Sequence, residues 1–325
     1  LSGVELRNVG KSGLKVSRLG LGTLTWGRES NADEAAAQLV AFRDAGGNFV
    51  DTAVSYSDGL SEEILGQLIA DVVPREELVI ATKAGLTWLD DERQVDASRR
   101  ALLARLDGSL ARLGIDHVDL WQLHLPDDSV PIEETLAAMD AAVNAGKVRY
   151  IGVSNFSGWR IGHATGWQRA VAGRAPIVSN QMRYSLLDRG IEREVIPGCM
   201  ALGVGVLPYS PLGGGVLTGK YRTGVPTDSR AAAGRRNVAD FRRAEEAGIV
   251  EAVATAAEGL ATSPVAVALS WVRDQPGVTS AIMGARTLGQ LTAALTSEAL
   301  VLPFEIREAL DDVSAPLLSY PEQAP

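Results

Sequence analysis

Short apolar runs alternate with longer stretches of helical spacing along the chain. Residues 4–7 and 14–18, joined through Gly10 to Gly13, predict a hairpin outside the main fold. Arg18-Leu-Gly-Leu-Gly-Thr23 then reads as a first buried strand. Residues 31–45 place Ala35, Leu39, Val40 and Phe42 on one helical face, behind Asn31 or Asp33 as cap. Asn48-Phe-Val-Asp51 is a second strand, entered through Gly46-Gly47, which suits a helix C-terminus. Further strands are predicted at 78–83, 118–124, 150–155, 177–181, 204–211 and 279–284. Helices are predicted between them, at 61–70, 95–113, 133–145, 157–171, 191–202 and 245–274, with 287–297 and 303–313 closing the chain.

Strand ends therefore fall near 23, 51, 83, 124, 155, 181, 210 and 284, and the last interval is much the longest. No linker or low-complexity segment interrupts the series. The pattern predicts one domain over 1–325: a single (β/α)8 TIM barrel with a short N-terminal hairpin and an enlarged loop after strand 7. A doubly wound sheet is the runner-up. No G-x-G-x-x-G opens an early βα turn, so a Rossmann fold has little support.

Composition adds limits. Of 325 residues, 31 are basic and 40 acidic, a formal charge of −9, which argues against a nucleic-acid or anionic-membrane binder. Cys199 is the only cysteine, so a reducing, cytoplasmic setting is expected and no intramolecular disulfide can form. No apolar run reaches membrane-spanning length, and no metal ligand set is expected.

Chemistry concentrates at strand ends. Asp51, Lys83 and His124 terminate three consecutive predicted strands, and Tyr56 lies just past the first of them. In a barrel those positions share one mouth. A phenol with a pKa of about 10 is a poor proton donor at neutral pH. A nearby ammonium should lower that value, and a carboxylate should hold the ammonium charged. A neutral imidazole can orient a carbonyl oxygen. Each residue alone has a structural explanation: a surface lysine, a core histidine, a turn-forming aspartate.

Several blocks occur in order: K-S-G-L-K-V-S-R-L-G-L-G-T, G-G-N-F-V-D-T-A-x-x-Y, A-T-K83, D-L-W-Q-L-H124 and G-K-V-R-Y-I-G-V-S-N155. S-N-Q181, P-Y-S-P-L-G-G-G-V-L-T-G-K-Y and I-M-G-A-R-T-L-G-Q-L follow. From about Arg7 to Leu295 the sequence resembles the aldo-keto reductase family. The resemblance implies a tetrad of Asp51, Tyr56, Lys83 and His124, with Tyr56 as general acid in carbonyl reduction. It also implies NADPH as hydride donor. Ser154, Asn155 and Gln181 would hold the nicotinamide carboxamide, and Tyr209 would stack on its ring. Ser210, Leu212 and Gly214 would run along the pyrophosphate, with Gly284, Arg286 and Gln290 gripping the adenosine end. The family pattern often has Glu-Asn where Ala293-Ala294 stand, and proline where Met283 stands.

Residues 213–243 carry seven basic side chains (Lys220, Arg222, Arg230, Arg235, Arg236, Arg242, Arg243) against Asp228 and Asp240, a local balance of +5. That favours NADPH over NADH through its phosphates, although a solvated loop explains most of these arginines equally well. Trp26 and Trp88 are expected to wall the mouth, and Trp121, Trp159, Trp167 and Trp271 to pack. The loop after His124 is short, so the site should be open. The substrate is expected to be a small aldehyde or ketone, a keto-sugar included. The alternatives are a cofactor-binding subunit of a partner protein, since the resemblance extends to cytoplasmic potassium-channel subunits, and a Lys83 Schiff-base lyase.

Overall fold

The computed structural model describes residues 4–90, 92–227, 229, 232 and 246–316. The opening hairpin pairs β1 (Leu6–Asn8) with β2 (Lys15–Ser17), antiparallel. Its turn needs Gly10: φ is 54°, and a Cβ there would lie 2.3 Å from the Gly203 carbonyl oxygen. The barrel begins with β3 (Leu19–Gly22), α1 (Ala32–Asp44) and β4 (Phe49–Asp51). Asn31 caps α1, its Oδ1 accepting the Glu34 N–H at 2.9 Å, and Gly46 takes φ 88° just beyond it. Then come α2 (Leu60–Asp71), β5 (Val79–Ala84), the antiparallel pair β6 (Leu86–Leu89) and β7 (Glu92–Val95), and α3 (Arg99–Leu113). Next are β8 (Val118–Leu123), α4 (Ile132–Asn144), β9 (Val148–Ser154), α5 (Gly158–Arg169), β10 (Ile177–Arg183), α6 (Val195–Leu202) and β11 (Gly205–Tyr209). Helices Ala247–Gly259 and Pro264–Arg273, β12 (Ala281–Gly284), and helices Leu288–Leu295 and Phe304–Val313 complete the described elements.

Eight strands form one parallel sheet in the order β11-β10-β9-β8-β5-β4-β3-β12. The ring closes between its two ends, where the Val206 N–H donates to Gly277 O at 3.1 Å and the Thr279 N–H to Val206 O at 2.9 Å. The architecture is the (β/α)8 barrel. Helices cover its outside and bury the outward faces of the strands, as with Trp121.

Inside, the barrel is layered. Phe49, Ala81, Leu120, Val178, Leu207 and Ile282 form an apolar floor, sealed from below by Val9, Leu14 and Val16 of the hairpin region. Two residues further along the same strands, Asp51, Lys83 and Gln122 point inward instead. The hairpin thus plugs one end, and the polar layer opens at the other. A cleft of about 300 Å³ lined by Arg7, Lys11, Met200 and Gly205 lies at the plugged end and contains none of the chemistry described below.

The structure departs from the sequence reading in two elements. Leu86–Leu89 and Glu92–Val95, for which the sequence predicts no strand, form the β6–β7 ribbon, and the helix expected from Val95 begins at Arg99; Gly85 turns the chain at φ 95° and the Asp96 N–H returns to Gly85 O at 3.0 Å. The single helix expected over 245–274 is instead Ala247–Gly259 and Pro264–Arg273, bent by 104°, the second begun by Pro264 and capped by Ser263, whose Oγ accepts the Ala266 N–H at 3.1 Å. No single helix among the described residues is long and apolar enough to cross a membrane.

Candidate active site

Lys83 sits at the centre of the mouth, with no exposed surface. Its Nζ donates to Asp51 Oδ2 at 2.6 Å, to the Thr52 carbonyl at 2.9 Å and to Tyr56 Oη at 3.1 Å. All three ammonium protons are therefore committed. The other Asp51 oxygen accepts from Gln181 Nε2 at 2.8 Å and Gln122 Nε2 at 3.3 Å. Strand register explains the cluster: Lys83 pairs with Gln122 across β5 and β8, and Asp51 with Ala81 across β4 and β5. Gln122 is a further site residue beyond those predicted from the sequence, and its alternation with His124 at the end of β8 is the signal for it.

Burial of a lysine with an aspartate is costly unless every partner is satisfied. Burial pulls the Lys83 pKa down, but Asp51 and then Tyr56 outweigh it and hold the amine above its ordinary value. Lys83 is thus a held cation. A Schiff-base nucleophile needs a neutral amine, so the arrangement opposes the lyase alternative.

Tyr56 stands on a turn just past β4. Its neighbours Ser57 and Asp58 adopt left-handed φ of 49° and 55°, and Ser57 Oγ pins the turn to the Trp26 carbonyl at 2.8 Å. Burial raises the phenol's pKa, Lys83 pulls it back, and Asp51 adds to the rise, leaving it above the ordinary value. The sequence reading expected a net lowering. Lys83 acts in the expected direction, but desolvation is the larger effect.

His124 follows β8, its ring edge-on to Tyr56 at 6.0 Å between centroids and 78° between planes. Its Nδ1 lies 3.5 Å from Ser55 Oγ, a weak contact. Burial first, then the charges of Lys83 and Arg93, lower its pKa to about 3, so the imidazole is neutral throughout the physiological range. Asp51, Tyr56, Lys83 and His124 are thus brought together around one opening.

The cofactor positions line the adjacent rim. Ser154 Oγ donates to Gln181 O at 2.9 Å, and Asn155 Nδ2 donates to Ser154 Oγ at 2.9 Å and His124 O at 3.1 Å. Tyr209 donates its hydroxyl to Asn155 Oδ1 at 2.9 Å and keeps a partly exposed ring. Asn155 and Ser210, directly after β9 and β11, both take left-handed backbone, φ 63° and 54°. Strain of that kind concentrates where backbone must meet a ligand. Beyond Leu212, glycines 213–215 have φ of 54°, 62° and 92°, and a Cβ on Gly215 would lie 3.1 Å from Lys220 Nζ. Gly284, Arg286 and Gln290 gather at the start of helix Leu288–Leu295, where Gln290 Oε1 accepts the Arg286 N–H at 2.9 Å.

Two expectations fail at the rim. Trp26 does not wall the mouth: it is fully buried, its indole N–H bonded to Gln38 Oε1 at 3.0 Å in the core. Trp159, expected to pack, is 60% exposed with Arg160 over its ring. Trp88 is 51% exposed on the β6–β7 ribbon. Of the basic stretch, Arg222 is taken by Glu251 at 2.5 Å, whereas Lys220 lies against the glycine loop. Arg230, Arg235, Arg236, Arg242, Arg243, Asp228 and Asp240 lie outside the described residues. Met283 packs in the core, and of Ala293-Ala294 only Ala293 is exposed.

The Aldo/keto reductase family model matches residues 18–315, spanning all eight barrel strands and the four clustered residues. The chain belongs to this family. A protein of Oryza sativa subsp. japonica named a probable voltage-gated potassium channel subunit beta is 36% identical, covering 98% of both chains. YrpG of Bacillus subtilis (strain 168), an uncharacterized oxidoreductase, is 35% identical over 95% of this chain and 96% of its own. The L-glyceraldehyde 3-phosphate reductase of Escherichia coli (strain K12) is 33% identical over 89% of this chain and 86% of its own. Aldo/keto reductase membership, with reductases among the relatives, supports a carbonyl-reducing oxidoreductase.

Proposed function

We propose that this aldo/keto reductase is an NADPH-dependent enzyme that reduces a small aldehyde or ketone to the alcohol, with Tyr56 as the proton donor. The observation that carries the reading is the contact chain Asp51–Lys83–Tyr56, at 2.6 and 3.1 Å, beside a neutral imidazole.

The rim residues fit a nicotinamide dinucleotide by their chemistry. Amide and hydroxyl groups suit a carboxamide, Tyr209 offers a ring face, and the left-handed glycines leave a side-chain-free cradle beside Lys220. When bound, the nicotinamide supplies the hydride to the carbonyl carbon. Tyr56 gives its proton to the carbonyl oxygen as negative charge develops there. Lys83 stabilises the phenolate left behind, and Asp51 keeps Lys83 charged and fixed. His124, neutral, donates from one ring nitrogen to the same oxygen and sets its orientation. In alcohol oxidation the phenolate takes the proton back.

The test is a panel of aldehydes and ketones followed by NADPH absorbance, for wild type and Tyr56→Phe. We expect turnover in the wild type and a loss of at least about a hundredfold in the variant, with NADPH binding by fluorescence titration nearly unchanged. Wild-type turnover in Tyr56→Phe would remove that residue from the mechanism. A second reading, a cofactor-binding subunit of a partner, is motivated by the rice relative's name; the intact tetrad geometry favours the enzyme.

A further inference from the structure

The β6–β7 ribbon leaves the barrel at Gly85, two residues after Lys83, and returns at Asp96. Its register sets Leu86 against Val95, Thr87 against Gln94 and Trp88 against Arg93. Directly opposed residues share a face, and successive pairs alternate between faces. Thr87 Oγ1 accepts from Arg105 Nη2 of α3 at 3.4 Å, which turns the Thr87–Gln94 face towards the helix layer. The other face, with Leu86 buried at its root and Trp88 and Arg93 exposed towards its tip, is turned away from α3.

Charge at the barrel mouth is unbalanced. Arg183, the last residue of β10, is bound to Asp188 at 2.5 Å and contributes little net charge. Within the described residues no carboxylate pairs with Arg93. Its charge is felt at both His124 and Tyr209, although burial is the larger influence on each. A guanidinium cross-strand from an indole, with no carboxylate partner among the described residues and its charge reaching a neutral imidazole, is suited to an oxyanion carried by the substrate.

The geometry points to Arg93 as a specificity-determining residue that receives the anionic group, carboxylate or phosphate ester, of a carbonyl substrate packed against Trp88. This rests on the reductase reading above. The carbonyl oxygen sits at Tyr56 and His124, and the anion extends from it towards the ribbon. The contact is made equally in ground and transition states, so it acts on KM more than on kcat.

The experiment compares matched pairs: glyceraldehyde 3-phosphate with glyceraldehyde, and 4-carboxybenzaldehyde with benzaldehyde. Wild type, Arg93→Gln and Arg93→Lys are assayed with NADPH. We expect wild type to prefer the anion in at least one pair, which also tells phosphate from carboxylate. Arg93→Gln should lower kcat/KM for that anion about tenfold, the scale of one partly exposed charged hydrogen bond. The neutral compound should change less than twofold, and Arg93→Lys should recover part of the loss. Equal effects on both members of each pair, or no wild-type preference, would overturn the proposal. A binding arm separates its failure from that of the reductase reading: 3-phosphoglycerate and benzoate, against glycerol and benzamide, titrated by calorimetry without turnover. Anion binding lost only in Arg93→Gln supports the assignment even if no carbonyl is reduced; anion binding absent or unchanged in the variant refutes it.

Discussion

Lys83 gives each of its three protons to a different acceptor, and one of those acceptors is the proposed acid. That makes the pH behaviour of the reaction a property of one residue. Reduction needs Tyr56 protonated, so kcat falls as pH rises through its pKa; oxidation needs the phenolate and rises over the same window. Burial holds that pKa above the ordinary phenol value, with Lys83 opposing. In Lys83→Met only the raising influences remain, so both limbs should move further alkaline while the rate drops. The measurement is kcat against pH in both directions, where chemistry limits the rate. An unmoved midpoint would detach Lys83 from the acid. On the proposed NADPH reading, cofactor choice would turn on two other residues. Arg286 stands where a 2′-phosphate would be gripped, but Glu34 reaches the same place and accepts the Leu288 backbone N–H. A carboxylate on that helix terminus opposes a phosphate there. Arg286→Ala should therefore weaken NADPH more than NADH, by about 1.5–3 kcal/mol. Glu34→Gln should selectively tighten NADPH, by about 0.3–1 kcal/mol. Dissociation constants for both cofactors check this, and parallel changes in the two would place the selectivity elsewhere.

At the scale of elements, α2 is held by a carboxylate with no exposed surface. Glu62 accepts Thr82 Oγ1 of β5 at 2.5 Å and Arg112 of α3 at 2.7 Å. Gly59, which ends the Tyr56 turn at φ 94°, packs on the same arginine: a Cβ there would meet Arg112 Cδ at 2.9 Å. The ion pair thus joins two helices and a strand directly behind the proposed acid. Removing one partner leaves the other charged and buried. Arg112→Leu should cost about 3 kcal/mol, seen as a lower urea midpoint, and adding Glu62→Gln should recover much of it. A midpoint unchanged in the single variant would mean that this ion pair does not hold the two helices to the strand.

For the whole molecule, the barrel separates stability from chemistry along its axis. Hairpin and apolar floor close one end, and every tetrad residue projects into the other. The phase of this arrangement was legible in the sequence. Alternating apolar runs and helical stretches repeat often enough to define eight units, and a strand's two-residue period fixes which neighbours share a face. So Asp51, Lys83 and His124 could be assigned to strand ends, with Trp121 outward. These are local properties, written in neighbouring residues. Other features depend on what the chain meets at a distance. Trp26 has polar neighbours in sequence, yet Gln38 from α1 satisfies its indole and the core takes the ring. Leu86–Leu89 and Glu92–Val95 carry no strong strand signal; the turn at Gly85 and the return at Asp96 make them a ribbon. The sign of the Tyr56 shift is a difference between desolvation and the Lys83 charge, and only the packed barrel sets how much water is removed. Sequence by itself determined the order of the strands and the kind of residue at each end, because periodicity and residue chemistry are local. Tertiary structure alone decided depth, orientation and net electrostatics, because each is a sum over groups far apart in the chain.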